Sequence, residues 1–375
     1  TTPECQNKTK QKEINLETID YVLVSPGVSK EQGLIKKLIE LNFKIITDID
    51  ILQNIISSKF ICITGTNGKT STVTLLAEIL NANNKKAIAC GNNGVSVFDA
   101  LQEPYDYIVL EISSYQLEYI ENLKSEISVI LNISSDHLDR HESFEKYLEI
   151  KSKILKNACH TITNDYFTLK NNIIFNIKNG LFYINDKKIN FLKLNDTDYI
   201  EYKEKKYFIR GRHEAINLCA CISILNLLDI NIVDILSAFE KRKILPHRLE
   251  LVKEFNGITF INDSKSTNVC STKNALLSNN NIILIMGGDN KKTSYQTLNN
   301  IINEKVKLLA LIGENREYLD IEISADVKKK LFNNLKDATS YIFSEMKSGD
   351  TILFSPGTSS FCMYNDYEDR GNHFK

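Results

Sequence analysis

The sequence predicts an α/β protein of more than one domain, with mostly parallel sheets covered by helices on both faces. Three observations predict it. From Phe60 onward, apolar β-prone runs alternate with helix-period stretches. Polar residues gather directly after those runs, where open parallel sheets bind their ligands. The length of 375 residues exceeds one ordinary core, so two or three domains are expected.

Taken in order, the polar stretch Thr1–Glu17 precedes a buried-strand candidate, Tyr21–Val24, stopped by Ser25-Pro26-Gly27. A helix pattern (Leu34, Ile35, Leu38, Ile39, Leu41) and a second strand, Phe43–Ile46, follow. This α/β unit begins part-way through a domain, and the missing initiator methionine points to a fragment. Asp48–Ser58 leads into the most informative segment, Phe60–Leu80. There the strand Phe60–Ile63 runs into Thr64-Gly65-Thr66-Asn67-Gly68-Lys69-Thr70, and Val73, Leu75, Leu76, Ile79 and Leu80 then mark a helix. Strand, glycine-rich turn and helix together aim backbone N–H groups at a phosphate. Lys69 would add a charge beside the β/γ-phosphates, and Thr70 a hydroxyl for Mg²⁺. The commoner eight-residue spacing wants glycine at position 63, which is isoleucine here, so the loop is a shortened form.

Four polar stations follow. Gly91-Asn92-Asn93-Gly94 comes after Ala87–Ala89, and Glu111-Ile112-Ser113-Ser114 after Tyr107–Leu110. Asn132, Asp136, His137, Asp139 and Arg140 come after Ile127–Leu131, and Lys151 lies on the next helix. Glu111 reads as a Mg²⁺ ligand beside a phosphate loop, or as a solvated carboxylate. His137 reads equally as functional or structural. From its pattern alone, Lys151 is a surface lysine. Short β-prone pieces between 161 and 208 suggest antiparallel strands extending this domain. Gly211–Glu214 then opens a long apolar helix, Ala215–Leu228, where Asn217 faces a nucleotide or bonds nearby backbone. Lys241–Lys243 before Pro246 reads as a hinge. Beyond it, the strands Ile258–Ile261, Ile282–Met286, Leu308–Ile312 and Thr351–Phe354 each end in small polar residues, implying one ligand-facing edge.

Composition narrows the function classes. A formal charge of -1 gives no electrostatic case for nucleic acid or an anionic membrane. No apolar run approaches the roughly 20 residues of a membrane helix, and no signal-peptide pattern opens the chain. The eight cysteines are scattered without a CxxC pair, as expected for reduced thiols in the cytoplasm.

The motifs resemble those of the Mur ligase family from about Tyr21 to the C-terminus. The matching stretches are SPG (25–27), GTNGKT (65–70), GNNG (91–94), LEISSYQLE (110–118), LNISSDHLDRH (131–141), YLEIK (147–151), GRHEAIN (211–217), LPHRLE (245–250), NDSKSTN (262–268), GGDNK (287–291) and SPGTSSFCMYNDYEDRG (355–371). NDSKSTN and the terminal block are similar to the D-glutamate-adding branch. The resemblance implies three domains: a partial N-terminal Rossmann-like domain (1–50) for the UDP-substrate, a central P-loop ATPase-like α/β domain (51–244), and a C-terminal Rossmann-like domain (245–375) for the amino acid. It implies an amide ligase joining UDP-N-acetylmuramoyl-L-alanine to D-glutamate through an acyl phosphate, in cytoplasmic peptidoglycan precursor synthesis. ATP and Mg²⁺, at two sites, would be the cofactors, and the protein a monomer without nucleic-acid or membrane partners. Rival readings are an inactive nucleotide-binding homologue and a related ligase with another acceptor.

Site residues carry over as implied roles. Lys69, Glu111, His137 and Lys151 would be catalytic, with Thr70, Glu111, His137 and a carbamylated Lys151 around the metals. Gly65, Thr66, Asn67, Gly68, Lys69, Thr70, Ser71, Asn217, Arg248, Asp263 and Lys265 would hold ATP. Asn92, Ser113, His137, Thr267, Lys291, Ser360 and Tyr367 would contact substrates. Glu214 stands where the family usually carries asparagine, Asn93 replaces an apolar residue, and Gly357-Thr358 replaces an Ala-Cys pair.

Overall fold

The computed structural model describes residues 19–164, 172–178, 181–185, 187–195, 199–290 and 293–375. They group into two compact units. The first holds the described residues up to Leu194 together with Glu201–Tyr207 and Ile216–Arg242; the second holds Phe208–Ala215, Lys243–Lys375 and the short stretch up to Ile200.

The first unit opens with β1 (Val22–Leu23), α1 (Gly33–Glu40) and β2 (Ile45–Ile46), the two strands pairing in parallel. Two-residue strands and one short helix cannot bury a core of their own. They borrow one: Val24 and Ile35 bury against Tyr119, with Val22, Val28 and Ile45 packed around them. Next come α2 (Asp48–Ile55), β3 (Lys59–Thr64), α3 (Lys69–Ala82), β4 (Ala87–Gly91), β5 (Tyr107–Glu111), α4 (Ser114–Tyr119), β6 (Ser125–Ile130), α5 (Leu138–His141) and α6 (Phe144–Ser152). Among the described residues, β4, β5, β3, β6, β7 (Ala158–Asn164) and β8 (Asn172–Lys178) lie side by side in that order, all parallel. The sheet continues through β9 (Leu181–Ile184), β10 (Lys187–Asn195), β11 (Tyr199–Tyr202) and β12 (Lys205–Phe208).

Parallel order puts the carboxyl ends of β3, β4, β5 and β6 on one edge, so the first three polar stations share it. Ile61, Cys62 and Ile63 of β3 and Ile108, Val109 and Leu110 of β5 are fully buried, as strands covered on both faces must be. On α3 the expected apolar residues Val73, Leu75, Leu76, Ile79 and Leu80 are all buried. One expectation is corrected. The pieces after 160 do not all pair antiparallel: β7 and β8 extend the parallel sheet, and reversal begins only at β9. Helices α5 and α6 between β6 and β7 provide the crossover that parallel pairing needs. α7 (Arg212–Leu227) then carries Leu218, Cys219, Ala220, Cys221, Ile224 and Leu225 fully buried, hydrophobic all round as a core helix is. It is followed by α8 (Ile232–Glu240).

The second unit comprises β13 (Glu250–Phe255), β14 (Ile258–Asn262), α9 (Val269–Leu277), β15 (Ile282–Gly288), α10 (Asn299–Lys305), β16 (Val306–Gly313), α11 (Arg316–Glu322), β17 (Lys328–Leu331), α12 (Leu335–Glu345), β18 (Thr351–Phe354) and α13 (Tyr367–Phe374). Its sheet order is β13-β14-β18-β15-β16-β17, and the four strands expected to share an edge are adjacent and parallel. Alternation along β15 divides its side chains between two cores. Ile282, Leu284 and Met286 enter one and Ile283 and Ile285 the other.

Arg370 on α13 is fully buried and holds two of the edge loops together. Its Nε donates to Ser264 Oγ (3.0 Å) and Nη2 to Ser264 O (2.8 Å), while Nη1 donates to Thr358 O and Ser359 O (3.0 Å each). Burial lowers its pKa to about 10, still leaving it charged at neutral pH. A lysine cannot reproduce this planar fork. Arg370→Lys is therefore expected to lower the urea midpoint by the equivalent of about 2–4 kcal/mol, as for loss of buried hydrogen bonds to a charge. An unchanged midpoint would remove Arg370 from its structural role.

Candidate active site

The phosphate-loop turn takes its shape from its neighbours. Gly68, which caps α3, has φ +85°, and a Cβ there would lie 2.5 Å from Asn217 Oδ1. Only glycine fits both the conformation and the close approach. Asn132, just beyond β6, clamps the turn. Its Oδ1 accepts from Asn67 N and its Nδ2 donates to Asn67 O, both at 2.9 Å, while its carbonyl accepts from Thr66 N at 3.0 Å. Thr66 Oγ1 lies 3.1 Å from Tyr147 OH and accepts from Ser134 N at 3.0 Å. Lys69 folds back over the turn, donating to Gly65 O (2.8 Å) and Thr66 O (3.0 Å). Thr70 and Ser71 are half-buried on the first turn of α3, whose N–H groups have no carbonyl one turn earlier.

Glu111 ends β5, one strand over from the loop, and is 2% exposed. Asn92 reaches it twice: Asn92 N donates to Glu111 O at 2.9 Å, and Nδ2 to Oε1 at 3.0 Å. The other oxygen, Oε2, is buried with no hydrogen-bond partner among the described residues. A buried carboxylate oxygen without a partner is costly, and a cation would satisfy it. Ser113 is engaged in shaping the backbone. Its hydroxyl accepts from Gln116 N, and Gln116 reciprocates in a capping box on α4.

His137 sits at the N-cap of α5 with φ +53°, its Nδ1 3.0 Å from Tyr115 OH. Lys151, on α6, is 1% exposed. Its Nζ donates to Thr64 Oγ1 (3.1 Å) and Gly65 O (3.0 Å), at the root of the phosphate loop. Burial, and after it the nearby charge of Lys69, hold this amine well below the usual lysine range. Lys151 is therefore no surface lysine, contrary to the plain reading of its sequence pattern.

In the second unit, Asp263 follows β14 and is buried. Its Oδ1 accepts from Leu249 N (3.1 Å) and its Oδ2 from Ser355 Oγ (2.9 Å) and Ser266 Oγ. Burial raises its pKa to about 6 despite these donors. Lys265 lies 3.7 Å from the centre of the Tyr367 ring, and Lys265 N donates to His247 O. The Arg248 carbonyl accepts from Arg210 Nη1 at 3.2 Å. Thr267 is half-buried, and Ser360 is 2% exposed in the loop after β18. Lys291 lies outside the described residues. Glu214 is engaged by Arg210, whose N donates to Oε2 at 2.7 Å and whose Nη2 donates to Oε1 at 3.3 Å.

Within the first unit, the structure gathers Lys69, Asn217, Glu111, Asn92 and Lys151 around the loop and its neighbouring strand ends. Asn132 and Thr64, which the sequence places at a polar station and in the loop segment without a site role, touch the same loop, as does Tyr147, which the sequence reading does not single out. Their signal was available: Asn132 stands directly after a strand, and Tyr147 precedes Lys151 by one helical turn.

This fold and site define a phosphate-loop α/β protein whose loop lies one strand from a buried carboxylate with one oxygen unpartnered among the described residues. Comparison with known proteins narrows the class. Residues 63–225 match the Mur ligase middle domain, and residues 247–357 the Mur ligase glutamate ligase domain. UDP-N-acetylmuramoylalanine--D-glutamate ligase of Francisella tularensis subsp. tularensis (strain WY96-3418) is 32% identical over 378 residues, covering 99% of this chain and 88% of the relative. The ligase of the same name from Geobacter metallireducens is 33% identical over 384 residues, covering 97% and 84%. Among solved structures, UDP-N-acetylmuramate-alanine ligase of Thermotoga maritima superposes with a TM-score of 0.66 at 18% identity, covering 95% of this chain and 84% of that one. A pseudomurein peptide ligase type C from Methanothermus fervidus gives 0.65 at 17%, covering 89% and 84%. The chain belongs to the Mur ligase family, whose members use ATP and Mg²⁺ and act on small molecules.

Two outcomes follow from the geometry. Gly68→Ala is expected to cut ATP turnover at least tenfold, because the added Cβ displaces Asn217; turnover within twofold of wild type would contradict that packing. Asp263 has a folded pKa near 6 against an unfolded value near 3.8. The folded state therefore binds more protons between those values, and stability falls as pH rises through that window. Asp263→Asn should flatten that slope in urea midpoints measured from pH 4 to 7. An identical slope in wild type and variant would show that Asp263 does not titrate there.

Proposed function

We propose that this chain is an ATP-dependent ligase that adds D-glutamate to UDP-N-acetylmuramoyl-L-alanine in peptidoglycan precursor synthesis. The observation that carries this reading is near-full-length similarity to ligases of that name. It coincides with a phosphate loop flanked by Glu111 and Lys151. The alanyl carboxylate oxygen attacks the γ-phosphorus, ADP leaves, and an acyl phosphate forms. The D-glutamate amine then attacks the acyl carbon, inorganic phosphate leaves with that oxygen, and the amine loses a proton. The loop amides and Lys69 position the phosphates, and rate comes mainly from alignment and charge neutralisation.

Mg²⁺ would be held by Glu111 and Thr70, with His137 and a modified Lys151 serving a second site; bound there, it neutralises charge on the transferring phosphoryl group. The unpartnered Glu111 Oε2 fits that role. Lys151 suits carbamylation because its environment favours the neutral amine. The nitrogen lone pair of the neutral amine attacks CO₂, the N–H proton leaves to solvent, and an anionic carbamate replaces a buried neutral amine. Asn217, Arg248, Asp263 and Lys265 are assigned to ATP. Asn92, Ser113, His137, Thr267, Lys291, Ser360 and Tyr367 are assigned to the UDP-sugar and D-glutamate. Division into residues 1–50, 51–244 and 245–375, a monomeric state and a cytoplasmic location without nucleic-acid or membrane partners complete the proposal. No helix among the described residues is long and apolar enough to cross a membrane.

Phosphate release should require UDP-N-acetylmuramoyl-L-alanine and D-glutamate together. Activity with L-lysine or meso-diaminopimelate, and none with D-glutamate, would overturn the acceptor. Lys151→Ala should lose at least a hundredfold in kcat and recover part of it when a short-chain carboxylic acid is supplied. Unimpaired Lys151→Ala enzyme would remove the carbamate from the reaction.

A further inference from the structure

The N-terminal α/β segment has almost no core of its own, so whatever docks it also sets where its loops lie. Its Pro26–Val28 turn is held by three bonds from the central part of the same unit. Tyr119 OH donates to Val28 O at 2.7 Å. Arg140 Nη2 donates to the same carbonyl at 2.9 Å, filling its second lone pair, and Nη1 reaches Gly27 O at 3.4 Å. The guanidinium is aimed by Glu118, which accepts from Nε (3.0 and 3.2 Å) and from Nη2 (2.6 Å). Both side chains are largely buried, at 14% and 10% exposure. His141 packs beside Glu118, with Nδ1 3.2 Å from Oε1, and its Nε2 is 2.9 Å from Ser114 Oγ.

The other face of Arg140 points toward the catalytic side. Its Cζ lies 5.1 Å from the centre of the Tyr115 ring, and Tyr115 OH meets His137 Nδ1 at 3.0 Å. One guanidinium thus joins the turn of the N-terminal segment to the aromatic pair that orients His137. Bidentate pairing, stacking and two carbonyl contacts together require arginine; a lysine supplies a single point charge.

We propose that Arg140, aimed by Glu118, is a positioning residue that docks the Pro26–Val28 turn onto the phosphate-loop unit and so sets the placement of the UDP-substrate. This rests on the ligase reading above for the identity of that substrate, but the docking itself does not. Arg140 touches no reacting group. Its loss should act on the substrate held by the N-terminal segment and leave nucleotide binding at the loop alone.

The experiment uses the full chain and Arg140→Lys, with Glu118→Gln as a second variant that keeps the guanidinium but weakens its aim. Hydrogen–deuterium exchange is followed by peptide, and steady-state phosphate release is measured against each substrate. Faster exchange across residues 22–46, with residues 59–82 protected as in wild type, is the expected result for both variants. KM for UDP-N-acetylmuramoyl-L-alanine should rise about tenfold in Arg140→Lys and less in Glu118→Gln, with KM for ATP within twofold. Unchanged exchange at 22–46 in Arg140→Lys overturns the proposal, as does an equal rise in both KM values. If wild-type enzyme releases no phosphate with these substrates, the ligase reading fails, while the exchange comparison still decides the docking role.

Discussion

A loop that presents its amides to a phosphate cannot also bond them to itself, so its conformation has to be imposed from outside. Here Asn132 imposes it. The side chain closes a two-way pair with Asn67, and its carbonyl takes Thr66 N, so three bonds converge on consecutive residues. Because Asn132 lies two residues beyond the end of β6, the loop's position is tied to the register of β3 against β6. Gly68 completes the constraint by letting Asn217 approach where a side chain would collide. Loop, strand and helix α7 therefore form one preorganised cradle, and polar groups held before ligand arrives need no reorganisation during reaction.

Charge follows from that cradle. Lys69 and Lys151 both lean on Gly65 O, so two amines share the root of one loop. Burial and mutual repulsion favour losing the charge on Lys151, and an arriving anion relieves the repulsion as well. Glu111 stands with one oxygen bound by Asn92 and the other without a hydrogen-bond partner among the described residues, a need that a cation would meet. Opposed needs at neighbouring strand ends are what a magnesium nucleotide would meet together. The second unit shows a parallel economy: Arg370 stitches the loops after β14 and β18, and Asp263 gathers two serine hydroxyls and a backbone amide.

Much of this was legible in the sequence for identifiable reasons. Parallel strands buried on both faces leave continuous apolar runs, so β3, β5, β15 and β16 stood out. Polar residues at strand ends marked Glu111 at the end of β5 in the first unit's sheet and Asp263 after β14 in the second unit's sheet. Strand direction past residue 160 was not legible, because polar-flanked β-prone runs such as β7 and β8 carry no local sign of the direction in which they pair. Lys151 was hidden for a related reason: one lysine in an amphipathic helix carries no sign of which face is buried. Only the family resemblance marked it, and the packing of α6 against the loop supplies the physical cause. Arg140 and Arg370 illustrate the same limit, since each acts through carbonyls distant in sequence.

In the proposed reaction this cradle directs a γ-phosphate onto a carboxylate, a step that isotope transfer reads out. It is tested most directly by placing ¹⁸O in the alanyl carboxylate of UDP-N-acetylmuramoyl-L-alanine and analysing the phosphate released with D-glutamate and ATP. Transfer through an acyl phosphate predicts one labelled oxygen in each inorganic phosphate and the other in the new amide. Unlabelled phosphate accompanying amide formation would contradict that route.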